Sequence, residues 1–153
     1  MNLILYRQIT LKTSLTETEI TNRLSDNLEK KRNSFTFTNT KSDKFFIGKF
    51  ENSKFKIHQI IKGRNSFIPI IQGSITGDNT ERNIELKMRL HLVSILFLVW
   101  VIGLISYYMW KTREYDGLIF ISLMGIMTIF FFNQECNRTI KKLSDIFESK
   151  TEL

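Results

Sequence analysis

The sequence predicts an α+β protein: a small antiparallel β-sheet domain with an N-terminal helix, a two-helix transmembrane hairpin and a C-terminal amphipathic helix. Three observations carry that expectation. Leu92–Trp110 and Leu118–Phe132 are apolar runs of nineteen and fifteen residues without a charged side chain, joined by a short charged loop. Upstream, several segments alternate apolar and polar residues with the period of a half-buried strand. Downstream, Ile140, Leu143, Ile146 and Phe147 recur at helical spacing among Lys141, Lys142, Asp145 and Glu148.

The first apolar run is close to the roughly 20 residues that cross a hydrocarbon core of about 30 Å. The second reaches only about 22 Å at 1.5 Å per residue, so it must borrow Gly117 and Asn133 or thin the bilayer locally. Two buried helices of a soluble protein are the alternative, but a chain of 153 residues leaves too little to surround two helices that are apolar all round. The expected organisation is a cytosolic α+β domain over residues 1–89 and a hairpin over 90–133, with spans at about 91–110 and 117–133. An amphipathic helix over 134–153 then packs back on the first domain.

Taken in order, Leu3 to Lys12 places Leu3, Leu5, Ile9 and Leu11 on one side and predicts a strand. Thr16 and Glu19 form a capping box, with Leu15 and Ile20 set as a hydrophobic staple, so a helix should begin at Glu17. Ile20, Leu24 and Leu28 are its expected stripe, and Lys30-Lys31-Arg32 its solvated last turn. Phe35 and Phe37 suggest a short strand before the polar loop Asn39 to Lys44. An antiparallel meander follows, with Phe46 to Phe50 and Phe55 to Ile61 around Glu51-Asn52-Ser53-Lys54. Phe67 to Thr76 and then Ile84 to Leu90 flank the turn Gly77-Asp78-Asn79-Thr80. Pro69 has no N–H for the ladder and requires an edge or a bulge there.

Charge is unevenly spread. Lys and Arg number 16 against 9 Asp and Glu before Leu90, and 6 against 6 from Leu90 onward. On a domain tied to a bilayer the nearest polyanion is the lipid surface, so anionic headgroups are expected partners and nucleic acid is not. Arg82, Lys87 and Arg89 precede the first span, and Arg138, Lys141, Lys142 and Lys150 follow the second. In the connecting loop Lys111 and Arg113 are offset by Glu114 and Asp116. This asymmetry predicts that both termini are cytosolic, in a multi-pass membrane protein. Tyr107, Tyr108, Trp110 and Tyr115 would mark the outer interface. Met1 to Tyr6 is too short and lacks the basic leader of a cleavable signal.

The segment Arg64-Asn65-Ser66-Phe67-Ile68-Pro69, with Gly73 and the run Met88-Arg89-Leu90-His91 ahead of the first span, resembles a group of small uncharacterised bacterial membrane proteins. The likeness runs from Phe45 onward. It implies a bacterial origin and a transmembrane hairpin, and it carries no activity over.

Chemistry-bearing residues are sparse. The glycines at 48, 63, 73 and 77 form no phosphate loop, and one cysteine with two histidines makes neither a disulfide nor a metal cluster. No catalytic, cofactor or metal site is expected. His58 has no triad partner, and His91 reads as an interfacial anchor. Cys136 is placed for acylation yet is more simply an inert thiol. Asn137-Arg138-Thr139 matches a glycosylation pattern on the side predicted to be cytosolic. Within the spans, Ser122, Gly125 and Thr128 on one and Gly103 and Ser106 on the other would let the helices approach.

Counting about the two turns places Pro69 opposite Arg89 and Ile61 opposite Lys44, which gathers Lys44, Lys62, Arg64 and Arg89 at one rim as candidates for lipid headgroups. The expected function is that of a non-enzymatic, membrane-anchored interaction or structural module on the cytosolic face, with a protein partner. The alternative is a tethered binder of lipid or another apolar ligand, its pocket lined by Phe46, Phe50, Phe55, Ile57 and Ile70.

Overall fold

The computed structural model describes residues 5–30, 44–60, 67–77, 81–113 and 115–152. In chain order the elements are β1 (Tyr6–Thr13), α1 (Glu17–Asn27), β2 (Leu28–Lys30), β3 (Phe46–Glu51), β4 (Lys54–Gln59), β5 (Ile70–Gly77), β6 (Arg82–Arg89), α2 (Leu92–Thr112), α3 (Gly117–Ile146) and β7 (Lys150–Glu152). The strands form one sheet in the order β2-β3-β4-β5-β6-β1-β7.

α1 starts where its capping chemistry dictates. Thr16 N donates to Glu19 Oε2 at 2.8 Å and Glu19 N donates to Thr16 Oγ1 at 3.3 Å, which satisfies two donors at the helix start. Its end corrects the expected stripe: Ile20 and Leu24 lie on α1, but the helix stops at Asn27 and Leu28 opens β2. Leu28 is buried all the same. The core requirement at that position is met by a strand, whose ladder with β3 competes with one more helical turn at a residue, Asn27, that favours helix poorly. β2 pairs with β3 in parallel, so the sheet is mixed and not wholly antiparallel. Lys30 belongs to β2 and not to a helical turn. The remainder of that basic run, Lys31 and Arg32, and the expected strand at Phe35 and Phe37 lie outside the described residues.

The β3–β4 turn places Asn52 at φ 49° and Ser53 at φ 57°, the left-handed pair of a type I′ hairpin, and Phe46 faces Gln59. The β5–β6 pair corrects the predicted register by one residue: Ile70, not Pro69, faces Arg89. In this register Ile71, Gly73 and Ile75 face Met88, Leu86 and Ile84, whereas the other would set Gln72 opposite Leu86 and turn one strand's apolar face to solvent. Pro69 precedes the strand, where its missing N–H is not needed. Gly77 takes φ 118°, open to glycine alone, as β5 ends.

One face of the sheet is covered by α1 and by the second half of α3. The core joins Ile9, Leu11, Phe46, Phe55, Ile57, Ile71, Ile84, Leu86 and Met88 from the strands to Ile20 and Leu24 of α1. From the end of the chain come Phe132, Cys136, Ile140, Leu143 and Phe147. Polar ties fix α3 on the sheet: Thr139 Oγ1 donates to Gln59 Oε1 at 3.2 Å, and Thr13 Oγ1 donates to the Phe147 carbonyl at 2.8 Å. Arg23 ties α1 to the same end of α3, donating to the Ile146 carbonyl at 3.1 Å and to Glu148 Oε1 at 2.7 Å.

The remaining helical surface is different. α2 has no buried side chain, and Leu118, Ile119, Phe120, Leu123, Ile126 and Phe130 of α3 are exposed. Both helices are long and apolar enough to cross a membrane. Two of the small residues expected to bring them together stand clear: a methyl group added at Gly103 or Gly125 would find no atom within 4 Å. Close approach occurs at the connecting loop, where Gly117 lies against Ile105 and Met109.

Candidate functional site

The predicted site is the end of the sheet from which α2 departs. Arg89, the last residue of β6, is exposed and flanked across the ladder by Tyr6 of β1 and Ile70 of β5. His91 follows as the cap of α2, its Nδ1 accepting from Val93 N at 3.2 Å, which ties its ring to the helix start. Lys44 lies at the same end of the sheet but is engaged elsewhere. Its Nζ donates to the Leu28 carbonyl at 3.0 Å and to the Ser25 carbonyl at 3.4 Å, holding the junction of α1 and β2. Three strand spacings, about 14 Å, separate the β3 and β6 positions, so Lys44 and Arg89 do not converge on one phosphate. Lys62 and Arg64 lie outside the described residues.

Contacts of α3 with β1 and with the residues just before β3 and β5 add residues that the sequence reading missed. Arg7 Nη1 donates to Asn137 Oδ1. Arg138 Nη1 meets Glu135 Oε1 at 2.9 Å, and the Glu135 side chain is only 8% exposed. Lys142 Nζ lies 5.3 Å from the Phe45 ring centroid, and Phe67 stacks on Phe131 at 5.6 Å. Helical spacing alone finds Glu135 and Arg138, but the others need the strand order.

The five residues proposed to line an apolar pocket do not share a face. Phe46, Phe55 and Ile57 are core residues packed with α3, Phe55 lying 6.4 Å from the Phe147 ring, whereas Ile70 lies on the opposite face of the sheet. Phe50 packs against the core from its margin. The ring of Phe55 occupies the space a side chain at Gly73 would need, since an added Cβ would lie 2.0 Å from it. A shallow apolar concavity of about 400 Å³ lies instead on α3, lined by Leu118, Ile119, Ser122, Leu123 and Ile126.

Cys136 is fully buried, and that burial pushes its thiol up to about 12, which removes the thiolate that acylation or oxidation would require. In the glycosylation match Asn137 is exposed, whereas Thr139 is buried within α3. Among the described residues, no group of three or more His, Cys, Asp or Glu is arranged to hold a metal ion. A scan against protein-family models found no match, and neither did comparison with curated proteins or with solved structures.

Proposed function

We propose that this protein is a membrane-anchored, non-enzymatic interaction or structural module of the bacterial cytoplasmic membrane. α2 and the first half of α3 cross the bilayer as a hairpin, and the sheet domain stands on the cytosolic side with both termini. One observation carries this: α2 buries none of its side chains, only Ile95 and Leu98 near its start lying partly covered against a core that closes on α1 and the second half of α3. So large an exposed apolar surface calls for lipid or an equally apolar partner. The 21 residues of α2 extend about 31 Å, the thickness of a hydrocarbon core. Tyr107, Tyr108, Trp110 and Tyr115 are all exposed around the hairpin's turn, where an interfacial belt belongs.

The non-enzymatic reading is supported by the employment of the polar groups that chemistry would draw on. His91 caps α2, Cys136 fills core, Thr139 bonds Gln59, and Glu135 pairs with Arg138. At the rim, Arg89 faces the headgroups, while the ammonium of Lys44 serves the α1–β2 junction.

Reporter fusions test the arrangement. Alkaline phosphatase should be active when joined after Arg113 and inactive when joined at Leu153. The reverse pattern overturns the orientation, and release of the untagged protein by alkaline carbonate overturns the anchor.

A further inference from the structure

The sheet face turned away from α1 and α3 carries its polar residues in rows, because the strand registers align them. The row next to that of Arg89 runs through Lys49 of β3, Lys56 of β4, Gln72 of β5, Lys87 of β6 and Gln8 of β1. It contains no acid. All three lysines are exposed, and none makes an ion pair or hydrogen bond with a described residue. Lys49 and Lys56 face each other directly across the ladder, an arrangement in which like charges repel. With strands about 4.8 Å apart, the row extends about 19 Å from β3 to β1, and its lysines sit about 5 and 10 Å from one another. Within the row these cations meet no counter-charge, the acids of that face, Glu51 and Glu85, lying one row farther along β3 and β6.

We propose that the row Lys49–Lys56–Gln72–Lys87–Gln8 is the docking surface for an acidic, extended segment of a partner protein. The proposal rests on the reading of the sheet domain as an interaction module at a membrane, and it names the chemistry of the partner. Ammonium groups at these intervals match carboxylates along an extended chain, and the amide of Gln72 between Lys56 and Lys87 matches its backbone. A second copy of this chain is a poor occupant, because its formal net charge of +7 repels the same row. A bilayer is a poorer occupant of the row than of the rim. Lys87 precedes Leu92 by five residues, about 17 Å of strand, whereas the headgroup layer is about 5–8 Å thick on each side. Nucleic acid is less well matched, since bases stack on aromatic rings and, of Phe, Tyr and Trp, strands β1 and β3 to β6 place only Tyr6 of β1 on this face, its hydroxyl donating to Gln8 Oε1 at 3.2 Å. The row also lacks arginine, the usual fork for phosphate.

The test uses the full chain in nanodiscs of phosphatidylcholine alone, with a fluorescein-labelled decapeptide of alternating Glu and Ser as probe, read by anisotropy. The parent should bind it with an affinity that falls as sodium chloride is added. Lys49→Gln with Lys56→Gln and Lys87→Gln should weaken binding about tenfold, the scale of three exposed charge pairs. The corresponding triple arginine variant should retain binding. Lys111→Gln with Arg113→Gln and Lys141→Gln, which removes equal charge elsewhere, should leave it unchanged. Circular dichroism checks each variant, and the single Lys56→Gln carries the comparison should the triple unfold.

Equal loss in the control variant, or no binding of the peptide by the parent, overturns the proposal. Tighter binding of an oligothymidylate than of the peptide, weakened by the same three substitutions, overturns the assignment to a protein partner. Incorporation into the nanodiscs, read separately by size exclusion, reports on the anchor alone: a protein that stays outside the discs yet binds the peptide through this row sinks the anchor and keeps the docking surface.

Discussion

α3 is one helix with two environments. Ile126 in its first half is 66% exposed, whereas Leu143 in its second half is fully buried against the sheet. Both are large aliphatic residues on the same uninterrupted helix, so composition alone does not distinguish them. What separates them is pattern: Gly117 to Phe132 is apolar on every side, while from Asn133 onward the apolar residues fall to one stripe among Arg138, Lys141 and Lys142. An all-round apolar surface asks for a surrounding medium, and a stripe asks for one neighbour. Here the sheet is that neighbour.

The largest effect expected from this contrast is at the stripe. Ile140→Ala and Leu143→Ala should each cost the sheet domain about 2–5 kcal/mol, enough together to unfold a small domain. Limited proteolysis of the purified protein reads this directly. Resistance equal to that of the parent would show that α3 is not a structural part of the domain.

Ile126→Asp is the counterpart in the other half. It should disfavour insertion by about 2.5–3.5 kcal/mol while leaving the unfolding midpoint of the sheet domain where it was. The readouts are the fraction retained in carbonate-washed membranes and a urea titration. A midpoint lowered as far as in the Leu143 variant would erase the distinction between the halves.

Gly73→Ala sharpens the comparison from the sheet side, since the new Cβ collides with the ring of Phe55 beneath α3. Overpacking of this kind costs about 1–3 kcal/mol. Phe55→Leu in the same background should restore part of the loss in urea, and a double variant weaker than either single one would refute that account.

The smallest effect lies farthest from the contrast. Thr16→Ala should destabilise by about 1 kcal/mol through the lost cap. The hydrogen bonds from Thr16 hold the Glu19 carboxyl below its ordinary value. A depressed folded-state pKa means that the contribution is present at neutral pH and lost as pH falls through that folded value. The carboxyl half of the box is read with Glu19→Ala, whose urea midpoint should approach that of the parent as the pH is lowered, and a gap unchanged by acid would count against the capping box.

Much of this fold is legible in the sequence, because period and cap chemistry are local. The Thr16–Glu19 box, the Asn52-Ser53 turn and the alternation from Ile84 to Leu90 are each complete within a few residues. Leu28 marks where local pattern stops sufficing, since a buried leucine satisfies a helical stripe and a strand equally. Only the pairing partner, Phe46 on β3, decides between them. The β5–β6 register likewise depended on matching apolar faces across the strands and not on turn residues alone. Of the candidate site, the location of Arg89 was readable by counting. The engagement of Lys44 with carbonyls of Ser25 and Leu28 was not, because it is a contact across 16 to 19 positions that no periodicity encodes.

The placement of β1 between β6 and β7 has a consequence for timing. The strand made first finds its partners only late, β6 after some 70 residues and β7 after the last turn of α3. Leu143 is translated 54 residues after Arg89, about 3–11 s later at ordinary elongation rates. Throughout that interval Ile9, Leu11, Ile84 and Leu86 lack the helix that will cover them. Maturation of the sheet is thereby chained to delivery of the apolar hairpin, and a nascent chain whose hairpin stalls offers chaperones and proteases a half-built sheet with its greasy side uncovered.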